Sequence, residues 1–475
     1  MTLRPLLYLL LLFPLLFTCS KENEKRSENT YFGGTIKNKN SNQITLRDYK
    51  NTIIDTFSLD ATGSFLHQFK NFEPGLYNFF DGREAQSVFI QKGDSLIFRL
   101  NTIDFDESLT FTGIGSKENN FLINQFLENE KEEEVFLKFS QLPCNTFRDK
   151  IDSIRDKKLS RLKQFSSKNN TSEDFNALAT ATINFQNYFS KEFYPFARLD
   201  KDEIEVLNGL DATFFDYRKD INYNNEKIQN YYPYKTFLRF HFNTLALQEH
   251  FSHSKDSTYN NTSLHYNLDR FKLIDQKISF QPIKNDISYY YMIRYLNDSK
   301  NVEDFDQMLT AFKRINTNPD NIDKAAKIIN SYKRLKPGLQ LPELTIINKL
   351  DEEELLSSEI TKPTVLYFWT ANNKYHLIDS HKKAAELMQK YPEVKFIAIN
   401  TDNISSKKQA AILQQNGLTQ YNEFHFKNPL NAKDLLAIKP INNVFLVDKN
   451  AKIINPKANM FSVDFEQQLV ELLNH

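Results

Sequence analysis

The sequence contains few of the residues that build disulfide-rich or phosphate-binding proteins. Its 475 residues include only two cysteines, Cys19 and Cys144, and 11 glycines. So few thiols mean that the fold depends on its hydrophobic cores rather than on disulfides. Scarce glycine argues against loops that hold phosphate groups, because those loops need a backbone that can approach the ligand closely.

The sequence also lacks an excess of either charge. Lysine plus arginine equals aspartate plus glutamate, at 60 each, so we expect no nucleic-acid partner. It contains no P-loop, nucleophile-elbow or zinc-protease motif, and we predict no cofactor and no metal site. With 40% hydrophobic and 25% charged residues, the composition is that of a soluble globular protein, and the length predicts two to four domains.

The first residues have the pattern of an export signal. Arg4 is followed by an apolar run, Pro5–Phe17, which is too short to span a bilayer as a mature helix. The segment Leu16-Phe17-Thr18-Cys19 resembles a bacterial lipobox, whose cysteine is diacylated after export. We therefore expect residues 1–19 to be a lipoprotein signal peptide ending at Cys19, and residues 20–29 to be a tether. A plain signal peptide with a chance cysteine is the alternative.

If Cys19 carries lipid, Cys144 is the only thiol left. The segment Leu142–Asn145 has no cationic cluster that would lower the pKa of this thiol. We expect Cys144 to be inert, with a reactive thiol as the less favoured alternative.

Residues 30–116 have a β pattern. Eight of the 11 glycines lie here and separate short apolar segments. The segments Ser87–Ile90 and Leu96–Leu100 flank Lys92-Gly93-Asp94, which predicts a hairpin. We predict an antiparallel β-sandwich or barrel.

Residues 117–336 have a helical pattern. Gly209 is the one glycine in this range. Apolar residues recur three or four positions apart, as in Phe185, Tyr188, Phe189 and Phe193. These aromatic stripes are typical of core packing, with a ligand groove as the alternative. We predict a helical middle region.

Residues 340–475 alternate between strand and helix patterns, which predicts an α/β domain with a mixed sheet. The predicted strands are Val365–Trp369, Val394–Ile399, Val444–Val447 and Ile453–Ile454, and the predicted helices are His376–Tyr391, Ser406–Asn416 and Phe465–Leu473. The chain as a whole is thus predicted to be a multidomain α+β protein.

The last region resembles a known family. Leu341–Thr345 (LPELT) and Lys362–Trp369 (KPTVLYFW) resemble the entry strand and first core strand of exported thiol-disulfide oxidoreductases of the thioredoxin superfamily. The segments "PGLYNFF" and "FIQKGDSLIF" of residues 30–116 resemble the β-domain of unknown function in many exported thioredoxin-like lipoproteins. The resemblance therefore implies a thioredoxin-like α/β domain at residues 340–475.

The resemblance also shows which reactive residues are missing. In the family a Cys-x-x-Cys motif follows the core strand, and a gapless alignment places Asn373 and His376 at its two cysteines. A cis-proline near the active site is replaced by Asn442, while Pro440 lies two residues earlier. Disulfide exchange needs a thiolate and a second thiol, so these positions imply a redox-inactive domain.

Two histidine clusters are candidate metal sites. They are His376, Asp379 and His381 in the last region, and Glu249, His250 and His253 in the helical region. Their spacings do not bring all three side chains of a cluster onto one helix face, which favours ordinary polar helix residues.

These observations predict a non-catalytic, membrane-anchored lipoprotein in the envelope of a Gram-negative-type bacterium. We expect the outer membrane, facing periplasm or surface, with membrane contact through lipidated Cys19. The protein would bind a protein or peptide, or act in assembly. The alternative is an oxidoreductase relative that uses Cys144 or the thiol of a partner.

Overall fold

The structure is a computed structural model that describes residues 28–475 except 71–72, 257, 300, 420, 439–440 and 475. Cys19, the predicted signal peptide and Pro440 therefore lie outside the described residues. The chain divides into two compact units. One runs to Leu137 and includes Asp152–Asn184, and the other contains Lys138–Ile151 and Phe185–His475.

The first unit contains two four-stranded sheets, with strand orders β4-β1-β7-β8 and β3-β2-β5-β6. The strands are β1 (Thr30–Lys37), β2 (Gln43–Arg47), β3 (Ile53–Ser58), β4 (Ser64–Phe69), β5 (Gly75–Phe80), β6 (Ala85–Ile90), β7 (Ser95–Asn101) and β8 (Thr110–Thr112). All neighbouring strands pair antiparallel except β1 and β7, which are parallel. Side chains of both sheets, among them Phe32, Phe79 and Phe98, share one hydrophobic core.

The predicted hairpin between β6 and β7 is wrong in its pairing, although both strands exist. β6 pairs with β5, and β7 pairs with β1 and β8, so the chain passes from one sheet to the other between them. Gly93, with φ of 83°, lies in this turn, and the Gln91 amide donates to Asp94 Oδ2 at 2.7 Å. Because both strands direct apolar side chains into the shared core, crossing between the sheets buries them as well as a hairpin would.

Helices form the middle of the chain, as predicted. They are α1 (Phe105–Ser108), α2 (Ser116–Lys131), α3 (Glu133–Phe139), α4 (Cys144–Asn169), α5 (Glu173–Ala197), α6 (Glu203–Asn208), α7 (Tyr232–His253), α8 (Leu264–Lys277), α9 (Gln281–Asp298), α10 (Phe305–Ile315) and α11 (Pro319–Arg334). Polar caps begin several of them: the Ser263 and Asn318 side chains accept from first-turn amides of α8 and α11. The aromatic stripe predicted from α5 packs against α7, where Phe185 lies 5.3 Å from Phe237 between ring centroids.

A seven-stranded mixed sheet forms the C-terminal region, in the order β10-β9-β13-β12-β11-β14-β15. Its elements are β9 (Thr345–Ile347), β10 (Glu353–Leu355), β11 (Thr364–Trp369), α12 (Lys374–Lys390), β12 (Lys395–Asn400), α13 (Ser406–Gln415), β13 (Glu423–Phe426), α14 (Pro429–Leu435), β14 (Val444–Val447), β15 (Ile453–Ala458) and α15 (Phe465–Leu473). β11, β12 and β13 are parallel, whereas β9, β14 and β15 pair antiparallel with their neighbours. The fold class is confirmed: β-rich at the start, helical in the middle, and a sheet with helices at the end.

The central strand β11 separates two hydrophobic cores. Val365, Tyr367 and Trp369 enter one core, and Leu366 and Phe368 enter the other. All six of its residues are buried, as expected of a strand covered on both faces. The loop that follows this strand therefore begins at a buried position in the centre of the sheet.

Candidate functional site

The candidate site is the loop between β11 and α12, which begins after the buried Trp369. Asp402, from the end of β12, holds this loop. Its Oδ1 accepts from the Thr370 hydroxyl at 2.6 Å, and its Oδ2 accepts from the Ala371 amide at 2.7 Å. The segments that follow β11 and β12 are thus joined by two hydrogen bonds at the start of the loop.

Asn373 is the N-cap of α12. Its side-chain oxygen accepts from the His376 amide at 3.2 Å, and the residue itself is exposed. Asparagine is among the best residues for this role, because it satisfies an amide that the helix leaves unpaired. The residue predicted to align with the first family cysteine therefore performs a structural task, and its carboxamide offers no nucleophile.

His376 is half-buried, and both of its ring nitrogens are shielded from solvent without a hydrogen-bond partner. Its ring lies 6.5 Å from that of Phe461 in an edge-on arrangement. Burial, with a smaller effect of nearby His381, lowers the pKa of His376, while Asp379 acts in the opposite direction. The imidazole is therefore neutral at pH 7 and supplies no charge to the loop.

A buried polar group lies beneath the loop. Glu423 of β13 accepts through Oε2 from Trp369 Nε1 at 3.1 Å, and its Oε1 lies 2.7 Å from His381 Nε2. His381 Nδ1 donates to the Leu377 carbonyl oxygen at 2.7 Å. A carbonyl can only accept, so Nδ1 carries a proton, and a further proton joins His381 to Glu423. Burial, reinforced by the charge of Glu423, raises the pKa of Tyr367 well above its ordinary value.

The cluster considered at His376, Asp379 and His381 does not form. Both nitrogens of His381 bond other groups, and Asp379 is exposed. His381 instead belongs to the pair with Glu423, which lies 42 positions away in the sequence. Sequence reasoning missed Glu423 because it did not predict β13, although the alternation Glu-Phe-His-Phe is typical of a strand.

Asn442 lies in a turn shortly before β14 and is half-buried. β14 pairs with β11 up to Leu366 and Phe445. When this register is extended by three residues, Asn442 comes level with Trp369, where the loop begins. The position assigned to the missing cis-proline is therefore at the same end of the sheet as Asn373 and His376.

Cys144 is the first residue of α4 and is half-buried. Its thiol donates to the Gly209 carbonyl oxygen at 3.4 Å and lies 3.6 Å from Asn145 Oδ1. The thiol therefore contacts residues of the helical region. Direct action at the loop would require Cys144 to leave these contacts.

Among the described residues, no helix has the length and apolar character needed to cross a membrane. Cys19, the residue predicted to carry lipid, lies outside the described range.

Comparison with known proteins finds similarity in the solved structures alone. No family model and no curated protein matches the chain. The matching structures include a protein named as a thiol-disulfide oxidoreductase from Bacteroides vulgatus, with 21% identity over 30% of this chain and 99% of its own, at a TM-score of 0.27. A protein from Chlorobium tepidum named as the thiol:disulfide interchange protein DsbE matches at 21% identity over 29% and 99%, with a TM-score of 0.26. The thioredoxin domain of another Bacteroides vulgatus oxidoreductase matches at 18% identity over 30% and 98%, with a TM-score of 0.25.

The order of strands identifies the fold independently of these values. A β-α-β unit (β11, α12, β12) is followed by a further parallel strand, an antiparallel hairpin and a closing helix α15. The entry strand β9 lies on the far side of the parallel strands. The C-terminal region of this chain accordingly has a thioredoxin-like fold.

Proposed function

We propose that the protein is a non-catalytic, membrane-anchored thioredoxin-like lipoprotein that binds a protein or peptide, or acts in assembly, in the cell envelope. The observation that carries the proposal is Asn373, which caps α12 where thiol chemistry would need a cysteine. His376 cannot supply the second thiol. The single described cysteine, Cys144, is engaged with Gly209.

The surface around the loop supports a binding role. Tyr375 is 84% exposed, and Phe461, which contacts His376, is 45% exposed. Val463, two residues further along, is fully exposed. Exposed aromatic residues are enriched at the centres of protein interfaces, and two of them flank the half-buried His376.

An insulin-reduction assay with dithiothreitol tests the absence of redox catalysis. We expect the protein to add nothing to the rate of dithiothreitol alone, because no pair of thiols is available for exchange. Robust turnover that survives Cys144→Ser would contradict the proposal. Turnover that Cys144→Ser abolishes would instead establish the alternative, an oxidoreductase that acts through Cys144.

Site-specific photocross-linking tests the binding surface. A photoreactive phenylalanine analogue at position 375 should give a defined cross-linked product in intact cells. The same analogue at Tyr421, which is 68% exposed, is the matched control and should not give this product. Equal products from both positions, or none from position 375, would count against a binding site at the loop.

Cell fractionation tests the proposed membrane anchor. Cys19→Ser removes the acceptor of the acyl chains, so we expect the protein to move from the membrane fraction to the soluble fraction. Retention of the variant in membranes would show that another feature holds the protein there.

A further inference from the structure

Three side chains of types that serve as metal ligands lie together at the C-terminal end of α7 and the middle of α8. Glu249 and His253 are four residues apart on α7 and so lie on the same face, and Asp269 faces them from α8. One ligand atom from each residue can be chosen so that all lie within 4.8 Å of one another. Among the described residues, this is the one such group of histidine, cysteine and acidic side chains.

The pair His253 and Asp269 already has the spacing of two ligands on one ion. His253 Nε2 lies 3.1 Å from Asp269 Oδ2. Zinc binds nitrogen and oxygen ligands at about 2.0–2.2 Å in a tetrahedral arrangement, which places neighbouring ligand atoms roughly 3.3 Å apart. Glu249 must move its carboxylate inward by a rotamer adjustment, which is open to it because its side chain is 32% exposed.

His250 forms a hydrogen bond to one member of this group, Asp269. It is buried, with a side chain 3% exposed, and its Nδ1 donates to the same Asp269 Oδ2 at 3.2 Å. Its Nε2 is held by Asp256 Oδ2 at 2.9 Å. Carboxylates that bind metals are themselves fixed by hydrogen bonds from a second layer of side chains, and His250 does this for Asp269.

The charges also suit a divalent cation. Glu249 and Asp269 provide two negative charges, and Lys272 donates to one oxygen of Glu249, Oε1, at 2.8 Å. The other oxygen of Glu249 remains for a metal. One imidazole with two carboxylates is a ligand set suited to zinc and similar first-row transition ions.

We propose that Glu249, His253 and Asp269 form a binding site for a divalent transition ion of the zinc class, with a position left for water. The sequence pattern alone did not show this site, because Asp269 comes from another helix. His250, which the pattern grouped with Glu249 and His253, serves as support rather than as a ligand.

Titration of the full chain with Zn²⁺, followed by competition with a chromophoric chelator, tests the site. We expect one ion per chain at the highest-affinity site. His253→Ala and Asp269→Asn should each weaken binding at least about tenfold, the scale seen when a metal site loses a supporting residue. Co²⁺ in place of Zn²⁺ should give the visible absorption bands of a tetrahedral site. Both variants should lose these bands.

His265→Ala is the matched control, because His265 is exposed on the same helix as Asp269 and outside the three ligands. It should leave the affinity for Zn²⁺ unchanged. Circular dichroism verifies that each variant is folded, and Glu249→Gln replaces any variant that is not. Zinc binding that is absent, or equal in the wild type and the ligand variants, would overturn the proposal.

Discussion

At the scale of single residues, Asn373 has a structural role at the start of α12. The first turn of a helix offers unpaired amides, and a thiolate at this place is stabilised by them. Asn373 uses one of the same amides, that of His376, to cap α12. The structure shows Asn373 as an N-cap, whereas its correspondence to a family cysteine stays a prediction from the sequence.

The polar pair beneath the loop could not be predicted in the same way. Trp369, His381 and Glu423 are separated by 12 to 54 positions, and only the parallel pairing of β12 and β13 brings Glu423 under the loop. A histidine and a glutamate this far apart carry no local sequence signal. Their relation follows from tertiary structure alone.

Glu423→Ala tests the importance of this pair for stability. Removal of the carboxylate leaves His381 Nε2 and the Trp369 Nε1–H group buried without partners, so the free energy of unfolding should fall by about 3–5 kcal/mol. Trp369 is the one tryptophan in the chain and is fully buried. Urea unfolding followed by tryptophan fluorescence therefore reports on this region directly.

Glu423→Gln should be much milder, because an amide can accept from Trp369 and donate to a neutral His381. Glu393→Gln, an exposed change in the same domain, is the control. If Glu423→Ala shifts the fluorescence midpoint no more than Glu393→Gln, the pair contributes nothing to stability.

At the scale of elements, apolar periodicity predicted those strands and helices whose sequences have a clear strand or helix pattern. β11, α12 and β14 appear within two residues of their predicted positions. β13 was missed because an alternation of only four residues is too short to stand out, and the seven-residue α14 was missed as well. The mispaired β6 and β7 show a second limit: a turn sequence does not specify whether the next strand joins the same sheet.

A half-buried lysine joins two elements that the sequence pattern could not connect. Lys457 of β15 donates to the carbonyl oxygens of Leu296 at 2.8 Å and Ser299 at 2.7 Å, at the C-terminal end of α9. Its ammonium group also lies 3.7 Å from the centroid of the Tyr332 ring. An N–H donor in this place satisfies carbonyls that the helix leaves unpaired.

Lys457 should make stability depend on pH in the alkaline range. Burial lowers the pKa of Lys457 from 10.5 to about 8, and nearby Asp298 only partly opposes this. Tyr332, packed against the ammonium group, has its pKa raised by burial to about 12 and stays neutral throughout this range. Between about pH 8 and 10.5 the unfolded chain holds a proton that the folded chain has lost, so stability rises with pH over this window.

The measurement is the free energy of unfolding of the wild type minus that of Lys457→Met, at several pH values from 7 to 10.5. We expect this difference to increase as the pH rises from 8, because the variant lacks the titrating group. Lys452→Met, an exposed change on the same hairpin, should give a flat difference. A flat difference for Lys457→Met as well would show that burial does not perturb this lysine.

At the scale of the whole molecule, the thioredoxin-like sheet is not a separate body. Residues from Phe185 to His475 form one compact unit with the short segment Lys138–Ile151. The Ser331 hydroxyl of α11 donates to the Asp434 carbonyl oxygen of α14 at 2.5 Å, and Lys457 joins β15 to the end of α9. Composition and periodicity separated the helical pattern from the strand–helix pattern, but they carry no information about which elements unfold together.

The helical part of this unit contains its own buried charge group. Glu192, fully buried on α5, accepts from Arg218 Nε at 2.8 Å and from the Tyr217 hydroxyl at 2.6 Å, and it pairs with His241 Nδ1 at 2.6 Å. Burial acts to raise the pKa of Glu192, but the charge of Arg218, together with the hydrogen bonds from Arg218 and His241, outweighs it and lowers that pKa to about 2. The carboxylate is thus ionised at neutral pH and is satisfied by three neighbours.

Glu192→Ala tests whether the helices and the sheet unfold as one. Loss of the carboxylate leaves Arg218 buried without its counter-ion, a change that costs about 3–5 kcal/mol. If the unit is cooperative, this substitution in α5 should lower the urea midpoint of Trp369 fluorescence, although Trp369 belongs to β11. Lys219→Ala, which removes a surface ion pair whose lysine side chain is 77% exposed, should leave that midpoint unchanged. A far-ultraviolet transition that shifts in Glu192→Ala while the fluorescence midpoint stays fixed would mean that the sheet unfolds independently, because the lost helical stability would then not reach the only tryptophan.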